Sequence, residues 1–143
     1  MVWMGSQAFA GEAEIEGKGA LWARGVGIAH LKGVGHVKFE LHGAGVLRIR
    51  NVSTVRVEAR GEGKKYKIGD TLYLAGWKGV VKIRSKVTSA GTRTRINARF
   101  AGGRVKLWAV GKGRVYLKGH GKYKTKGGPI KKWRKSGSNV EFG

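Results

Sequence analysis

The sequence predicts an all-β protein, either an antiparallel β-sandwich or a small closed barrel of about ten short strands. Apolar and polar residues alternate with period two in many short runs, and no apolar stripe with the 3.6-residue period of a helix is visible. Glycine occurs 26 times and proline once, a composition that prevents long helices. A β-solenoid is the alternative architecture, because glycine pairs at nearly regular intervals also suit stacked coils.

Gly-x-Gly pairs separate the alternating runs. Glycine accepts the positive φ angles that three-residue hairpin loops and bulges require, so we expect these pairs to be turns. The six pairs are Gly25 with Gly27, Gly33 with Gly35, Gly43 with Gly45, Gly61 with Gly63, Gly111 with Gly113, and Gly119 with Gly121.

The first half of the chain contains six predicted strands, each with apolar residues at alternate positions. In residues 36–42, Val37, Phe39 and Leu41 share one face. The next strand buries Leu47 and exposes its arginines. The predicted strands are 12–16, 20–24, 28–32, 36–42, 46–50 and 55–60, followed by a polar loop at 61–70.

The second half continues the pattern with strands at 71–75, 80–84 and 92–100. Residues 104–118 are predicted to form a hairpin that turns at Gly111–Gly113. One face of this hairpin is apolar, and the other is cationic and partly aromatic. The apolar face consists of Val105, Leu107, Ala109, Val115 and Leu117, and residues 122–125 are a further candidate strand.

Two similar halves are suggested by a weak internal repeat, in which residues 45–64 align without gaps to residues 103–122. We expect residues 1–125 to form one all-β domain. Residues 126–143 are glycine-rich and very basic, and alone they cannot bury enough apolar surface to fold. They are therefore predicted to be a flexible basic C-terminal extension.

Charge is the strongest indication of function. The chain has 30 lysines and arginines against 8 acidic residues, a net charge of +22. Such an imbalance destabilises a compact state unless a partner supplies negative charge. From residue 71 to residue 140 there are 19 basic residues and no acidic one, so the second half is the expected polyanion-binding surface.

Lysine and arginine neutralise phosphates, and exposed aromatic rings stack on the bases of single strands. These residue types occur together in the predicted hairpin, in strand 92–100 and in the C-terminal segment. We therefore predict a nucleic-acid-binding protein, with RNA or a ribonucleoprotein as the preferred partner. The predicted binding residues are Arg93, Arg95, Arg99, Arg104, Lys106, Trp108, Arg114, Tyr116, Lys118, Lys122, Lys124, Lys131, Lys132, Trp133, Arg134 and Lys135.

Catalytic motifs are not found in the sequence, and neither are the motifs of sequence-specific readers of nucleic acid. The glycine pairs do not open a helix, so they are not dinucleotide-binding fingerprints. We expect a protein that is not an enzyme and needs no cofactor. His30, His36 and His42 are candidate metal ligands on adjacent strands, but exposed strand and turn positions are the preferred interpretation.

Two other functions fit the same composition. A self-assembling subunit of a shell, coat or filament is one, because an acidic first strand and a basic second half suit head-to-tail contacts in a homo-oligomer. A binder of acidic polysaccharide or of another anionic surface is the other. No apolar run is long enough for a transmembrane helix and the N-terminus lacks signal-peptide features, so we expect a cytoplasmic protein.

Overall fold

The structure is a computed structural model that describes residues 19–143, and it confirms the all-β prediction. The seven strands of this part of the chain are β1 (Gly19–His42), β2 (Val46–Arg50), β3 (Val55–Ile68), β4 (Thr71–Ser85), β5 (Ile96–Thr125), β6 (Lys131–Lys132) and β7 (Ser138–Phe142). A short 3-10 turn spans Val52–Thr54. The predicted strand 12–16 lies outside the described residues.

Four strands close an antiparallel barrel in the order β1–β4–β2–β5 and back to β1. Strand β3 pairs with β4, and the short strands β6 and β7 pair with β5. Of the architectures that the sequence left open, the barrel is therefore the observed one. Its core lies between the inward faces of these strands. The largest fully buried side chains include Phe39, Phe100, Leu21, Leu31, Leu47 and Ile49.

The expectation of many short strands with glycine turns is wrong for β1 and β5. These strands are 24 and 30 residues long, and eight of the predicted turn glycines lie in their interiors. Gly61 and Gly63 lie within β3 in the same way, so that β3 replaces most of the loop predicted at 61–70. Of the six predicted turns, only Gly43–Gly45 connects two strands.

The glycine pairs stand where the backbones of β1 and β5 come too close for a side chain. Gly27 lies opposite Gly119, and a Cβ atom added to Gly27 would sit 2.1 Å from the carbonyl oxygen of Lys118. The φ angle of Gly27 is +142°, which residues with a side chain rarely adopt. Glycine kinks of this kind let a long strand bend around a small barrel. The opposed pairs are Gly25 with Gly121, Gly27 with Gly119, Gly33 with Gly113, and Gly35 with Gly111.

A different internal repeat from the predicted one becomes visible in the pairing of β1 with β5. Residues 21–38 and 107–124 share Leu-Trp-Ala, then Gly-x-Gly, then Leu-Lys-Gly-x-Gly, and finally lysine. Their register is unchanged when the two segments are exchanged, as in a twofold axis. The predicted repeat of 45–64 with 103–122 has no such basis, because 45–64 contains two strands and a turn whereas 103–122 lies within one strand.

Two pairs of facing residues lie on this approximate twofold axis. Trp22 is the register partner of Trp108, and His30 is the register partner of Tyr116. We call these positions the tryptophan pole and the histidine pole. Both pairs are on outward-facing positions of strands whose alternate residues fill the core.

The C-terminal segment corrects the prediction of a flexible extension. Residues 131–132 and 138–142 are strands that pair with β5, and Val140 and Phe142 lie in the core. Trp133 is only 5% exposed, and its indole Nε1 donates a hydrogen bond of 3.1 Å to the carbonyl oxygen of Lys122. Composition did not predict this outcome because only three apolar residues of the segment, Trp133, Val140 and Phe142, attach it to the barrel.

Candidate nucleic-acid interface

The tryptophan pole is an aromatic pair covered by cations. The guanidinium of Arg24 lies 5.6 Å from the ring centroid of Trp22, and the Nζ atom of Lys38 lies 4.8 Å from the ring centroid of Trp108. Both distances are within the range of cation–π attraction. Trp22 and Trp108 are partly buried, so that each ring keeps some of its surface exposed to solvent.

Two rows of side chains cross neighbouring strands at this pole. In the first, Lys38 and Lys124 flank the two tryptophans. The second consists entirely of cations on adjacent strands. Together, these rows form what we call the tryptophan patch: Lys38, Trp108, Trp22 and Lys124 in one, and Lys106, Arg24, Lys122 and Lys132 in the other.

Like charges on directly opposite positions of neighbouring strands destabilise a sheet. In the patch, the only ion pair among the described residues joins Lys106 Nζ to Glu40 Oε1 at 3.8 Å. Glu40 also lies 3.8 Å from His42 Nε2. One carboxylate therefore faces a row of four cations, and a polyanion across the row would relieve the remaining repulsion.

The histidine pole has a different composition. Side chains that are consecutive neighbours across β4, β2, β5 and β1 form what we call the arginine row: Tyr73, Arg48, Arg99, His30 and Tyr116. His30 Nε2 lies 2.8 Å from Asn97 Oδ1, a hydrogen-bond distance. At the end of the row, Tyr66 stacks on Tyr73 with ring centroids 5.1 Å apart.

Burial and neighbouring positive charges lower the pKa values of two side chains in this row, His30 and Arg48. Burial lowers the pKa of His30, and Lys32, Arg48 and Arg99 add to the effect, while the hydrogen bond with Asn97 opposes it. The pKa of Arg48 is lowered mainly by burial and further by the charges of Arg50 and Arg99. Positive charge on His30 and Arg48 is therefore electrostatically unfavourable in this row.

The predicted hairpin is one continuous strand, and this separates residues that the sequence analysis placed together. Val105, Leu107 and Ala109 face inward and Arg104, Lys106 and Trp108 outward, as predicted. Trp108 and Tyr116, however, are eight residues apart along β5, up to about 26 Å. They therefore belong to two different poles.

Two of the three aromatic residues that were predicted to stack on bases instead pack against other parts of the protein. Trp133 is buried, and its ring lies against Gly25 and Gly121, so that no base can stack on it. The ring of Tyr116 lies against Gly137, and its hydroxyl donates a hydrogen bond of 3.5 Å to the carbonyl oxygen of Ser136. Of the three, Trp108 has the position that best suits stacking.

The predicted cations are distributed over several parts of the surface. Those in the tryptophan patch are Lys106, Lys122, Lys124 and Lys132. Arg99 belongs to the arginine row, whereas Arg95 and Arg114 line a cleft of about 360 Å³ between β1 and β7. Strand β5 begins at Ile96, so Arg93 and Arg95 precede it rather than alternate with Arg99. The remaining predicted cations are exposed: Arg104, Lys118, Lys131, Arg134 and Lys135.

A metal site formed by the three histidines is not supported. His30, His36 and His42 lie on the single strand β1, six residues apart, which is about 20 Å from each to the next. Within residues 19–143, no three histidine, cysteine or acidic side chains lie close enough together to hold a metal ion.

Trp22, Arg24, Lys38 and Arg48 are important at the two poles and were missed by the sequence analysis. The tripeptide Leu-Trp-Ala occurs twice, at 21–23 and 107–109, and this signal could have associated Trp22 with Trp108. No comparable signal exists for Arg48, because its neighbours come from other strands.

Comparison of the chain with protein-family models, curated proteins and solved structures finds no match. None of the helices in the described part of the structure is long and apolar enough to cross a membrane. The function is therefore inferred from the two poles themselves.

Proposed function

We propose that this protein is a non-enzymatic nucleic-acid-binding protein that prefers single strands, RNA before DNA, and that it acts in the cytoplasm as part of a ribonucleoprotein. The observation that carries the proposal is the tryptophan patch, where two partly exposed indole rings lie among six cations. Cations that contact phosphates supply affinity without sequence preference. Base stacking on exposed rings favours single strands over duplexes.

A flat sheet face with aromatic and basic side chains is a common way to hold RNA. In the patch, the cation row runs beside the tryptophans on the same strands. Phosphates lying along the row would leave the attached bases next to the indole rings. The recognition expected from this arrangement depends on backbone and stacking, with little discrimination between bases.

The test is a comparison of binding to RNA, single-stranded DNA, duplex DNA and heparin at one fixed salt concentration, using protein free of co-purified nucleic acid. RNA is expected to bind most tightly. The variant Trp108→Ala should weaken single-strand binding by about 1–3 kcal/mol and leave duplex and heparin binding nearly unchanged.

Tyr66→Ala is the matched control, because Tyr66 is a 43% exposed aromatic residue outside the patch. It should leave all four affinities unchanged. Equal binding of heparin and RNA, unaffected by Trp108→Ala, would contradict the proposal and favour a binder of acidic polysaccharide or of anionic surfaces.

A further inference from the structure

The arginine row has the features of a site for a small anion. Arg48 and Arg99 are direct neighbours on β2 and β5, and His30 is the next residue across on β1. Opposite residues of an antiparallel pair have Cβ atoms about 4.5–5.5 Å apart. The side chains of Arg48, Arg99 and His30 therefore start from neighbouring positions on one part of the outer surface.

Positive charge in this row is not balanced by the described part of the chain. All the charged groups that act on His30 are cationic. Arg50 and Arg99 likewise lower the pKa of Arg48, and only Tyr73 opposes them. Among residues 19–143, no carboxylate forms an ion pair with Arg48 or Arg99. The Nε atom of Arg48 is buried and has no acceptor among these residues, which is unfavourable for a polar group.

We propose that the arginine row binds a tetrahedral dianion of the phosphomonoester class, with Arg48 and Arg99 as its ligands and His30 beside them. Guanidinium groups fit two oxygens of a phosphate at once, which makes arginine the preferred residue for such groups. A bound dianion would screen the two arginines from each other. The inference does not depend on nucleic-acid binding at the tryptophan patch.

His30 makes this binding sensitive to pH. Its Nε2–H donates to Asn97 Oδ1 in this arrangement, so the titrating proton is that on Nδ1. Because its pKa is lowered in the folded protein, protonation of His30 opposes folding, and stability is lost as the pH falls through the unfolded value of about 6.5. A dianion beside the ring favours the imidazolium, so it should raise this pKa and bind more tightly at lower pH.

The charged groups nearest to His30 are cationic, in agreement with a pKa that is lowered in the free protein and raised by a bound dianion. From β5, Arg99 lies on one side and Tyr116 on the other, and Lys32 follows on β1 itself. Arg48 approaches from β2. The nearest carboxylate by register is Glu141 of β7, which faces Arg114 one row away. The groups at neighbouring register positions are Arg99, Tyr116, Arg114, Lys118, Asn97, Lys32 and Arg48.

Sulfate is the probe, because it remains a dianion over the pH range in which His30 titrates. Binding is measured by calorimetry, and the His30 ring protons are followed by NMR, in sodium sulfate and in sodium chloride of equal ionic strength. We expect saturable sulfate binding that tightens from about pH 8 to about pH 6, and a higher His30 pKa in sulfate. A His30 pKa that is the same in both salts would overturn the proposal.

Substitutions of Arg48 and Arg99 test whether these two arginines bind the sulfate. Arg48→Gln and Arg99→Gln should each weaken sulfate binding about tenfold or more, the loss expected for a charged hydrogen bond. Arg56→Gln, an exposed arginine of β3, removes the same charge elsewhere and should change it little. Equal weakening in all three would mean that net charge alone attracts sulfate, which would overturn the site.

Folding is checked by thermal denaturation without sulfate. Arg48→Gln should be at least as stable as the wild type, because it removes a repulsion, and its stability should no longer increase with sulfate. Should a glutamine variant fail to fold, Arg99→Lys keeps the charge but not the fork of donors, and weaker sulfate binding is again expected. Unchanged binding in Arg99→Lys would overturn the assignment of Arg99 as a ligand.

The source of the phosphate group is identified by three ligands: inorganic phosphate, a 5′-phosphorylated oligonucleotide and the same oligonucleotide with a 5′-hydroxyl. Preference for the phosphorylated strand that Arg99→Gln removes would assign the site to a strand terminus. Binding of inorganic phosphate alone would assign it to a free anion. Trp108→Ala should leave sulfate binding unchanged, so failure of the proposed function and failure of this site are distinguishable.

Discussion

The two poles of the barrel both lie on the approximate twofold axis that relates β1 to β5, but they have different surfaces. At one pole both symmetric positions carry tryptophan, Trp22 and Trp108, and Arg24 and Lys38 lie over the rings. At the other pole the same two positions carry His30 and Tyr116, and the neighbouring cations are arginines from β2 and β5. Outward positions can differ in this way because the glycines and apolar residues of the inner face determine the path of both strands.

The approximate twofold symmetry therefore describes the backbones of β1 and β5, whereas the outward side chains on which the proposed binding depends differ between the two poles. The tryptophan pole combines two partly exposed indole rings with cations, whereas the histidine pole brings together arginines, a histidine and tyrosines. The substitutions below test this separation, from the one that should damage both poles to the one that should change neither appreciably.

The largest effect is expected for Gly111→Ala. The φ angle of Gly111 is +133°, and an added Cβ would sit 2.1 Å from the carbonyl oxygen of Val34. We expect a loss of more than about 4 kcal/mol in the free energy of unfolding, measured by urea denaturation. Gly91→Ala is the control, because Gly91 has a φ of +82° but open space around it, and it should cost about 1–2 kcal/mol. Equal losses would show that close approach is not the reason for glycine.

Trp133→Ala should cost about 3 kcal/mol, because it removes a buried aromatic side chain. Trp133 packs on the pair Gly25–Gly121, so the variant tests how far the C-terminal segment supports one part of the β1–β5 pairing. The control is Ile130→Ala, where the side chain is 62% exposed and the expected change is less than about 0.5 kcal/mol. A similar small change in both variants would mean that the segment contributes little to stability.

A double-mutant cycle on Trp22 and Trp108 examines the tryptophan pole itself. Each alanine variant should weaken RNA binding by about 1–3 kcal/mol, measured by fluorescence anisotropy. Since the two residues are direct neighbours, the double variant should lose less than the sum of the two single losses, with a coupling of about 1 kcal/mol. Additive losses would indicate two independent contacts and would weaken the description of the pair as one surface.

The smallest effect is expected for Tyr116→Phe. The hydrogen bond from Tyr116 to Ser136 is 3.5 Å long, so its removal should change the free energy of unfolding by less than about 0.5 kcal/mol. Sulfate affinity should also be unchanged, because the hydroxyl points to the C-terminal segment. A clear loss of sulfate binding in this variant would add Tyr116 to the ligands of the histidine pole.

Period-two alternation was sufficient to predict that the chain forms β-strands and on which face of the sheet many residues lie. Residues 46–50 form β2 as predicted, and the inward and outward sets of residues 104–109 are confirmed. The glycine pairs were misinterpreted because glycine in a turn and glycine at a close approach of two backbones look alike in one sequence. The residue opposite on the neighbouring strand distinguishes the two cases. For Gly27 that residue is Gly119, which lies far along the chain.

The site was only partly predictable for the same reason. Trp108 was identified, but Trp22 and Lys38 became relevant only through their pairing with it. Arg48 and Arg99 were assigned to separate strands without any indication that those strands are neighbours. Charge composition predicts a polyanion partner, and this stays a prediction, whereas the grouping of cations into two poles depends on long-range register.

The double pairing of β1 with β5 also has a consequence for how the chain folds. Leu21 is a partner of Thr125, so the first described strand cannot complete its hydrogen bonds until residue 125 has been synthesised. Pairings so distant in sequence give slow folding, in the range of milliseconds to seconds for small β proteins. During this delay β1 is exposed on the nascent chain, and its interior glycines and outward lysines and histidines reduce the risk that it pairs with the same strand of another chain.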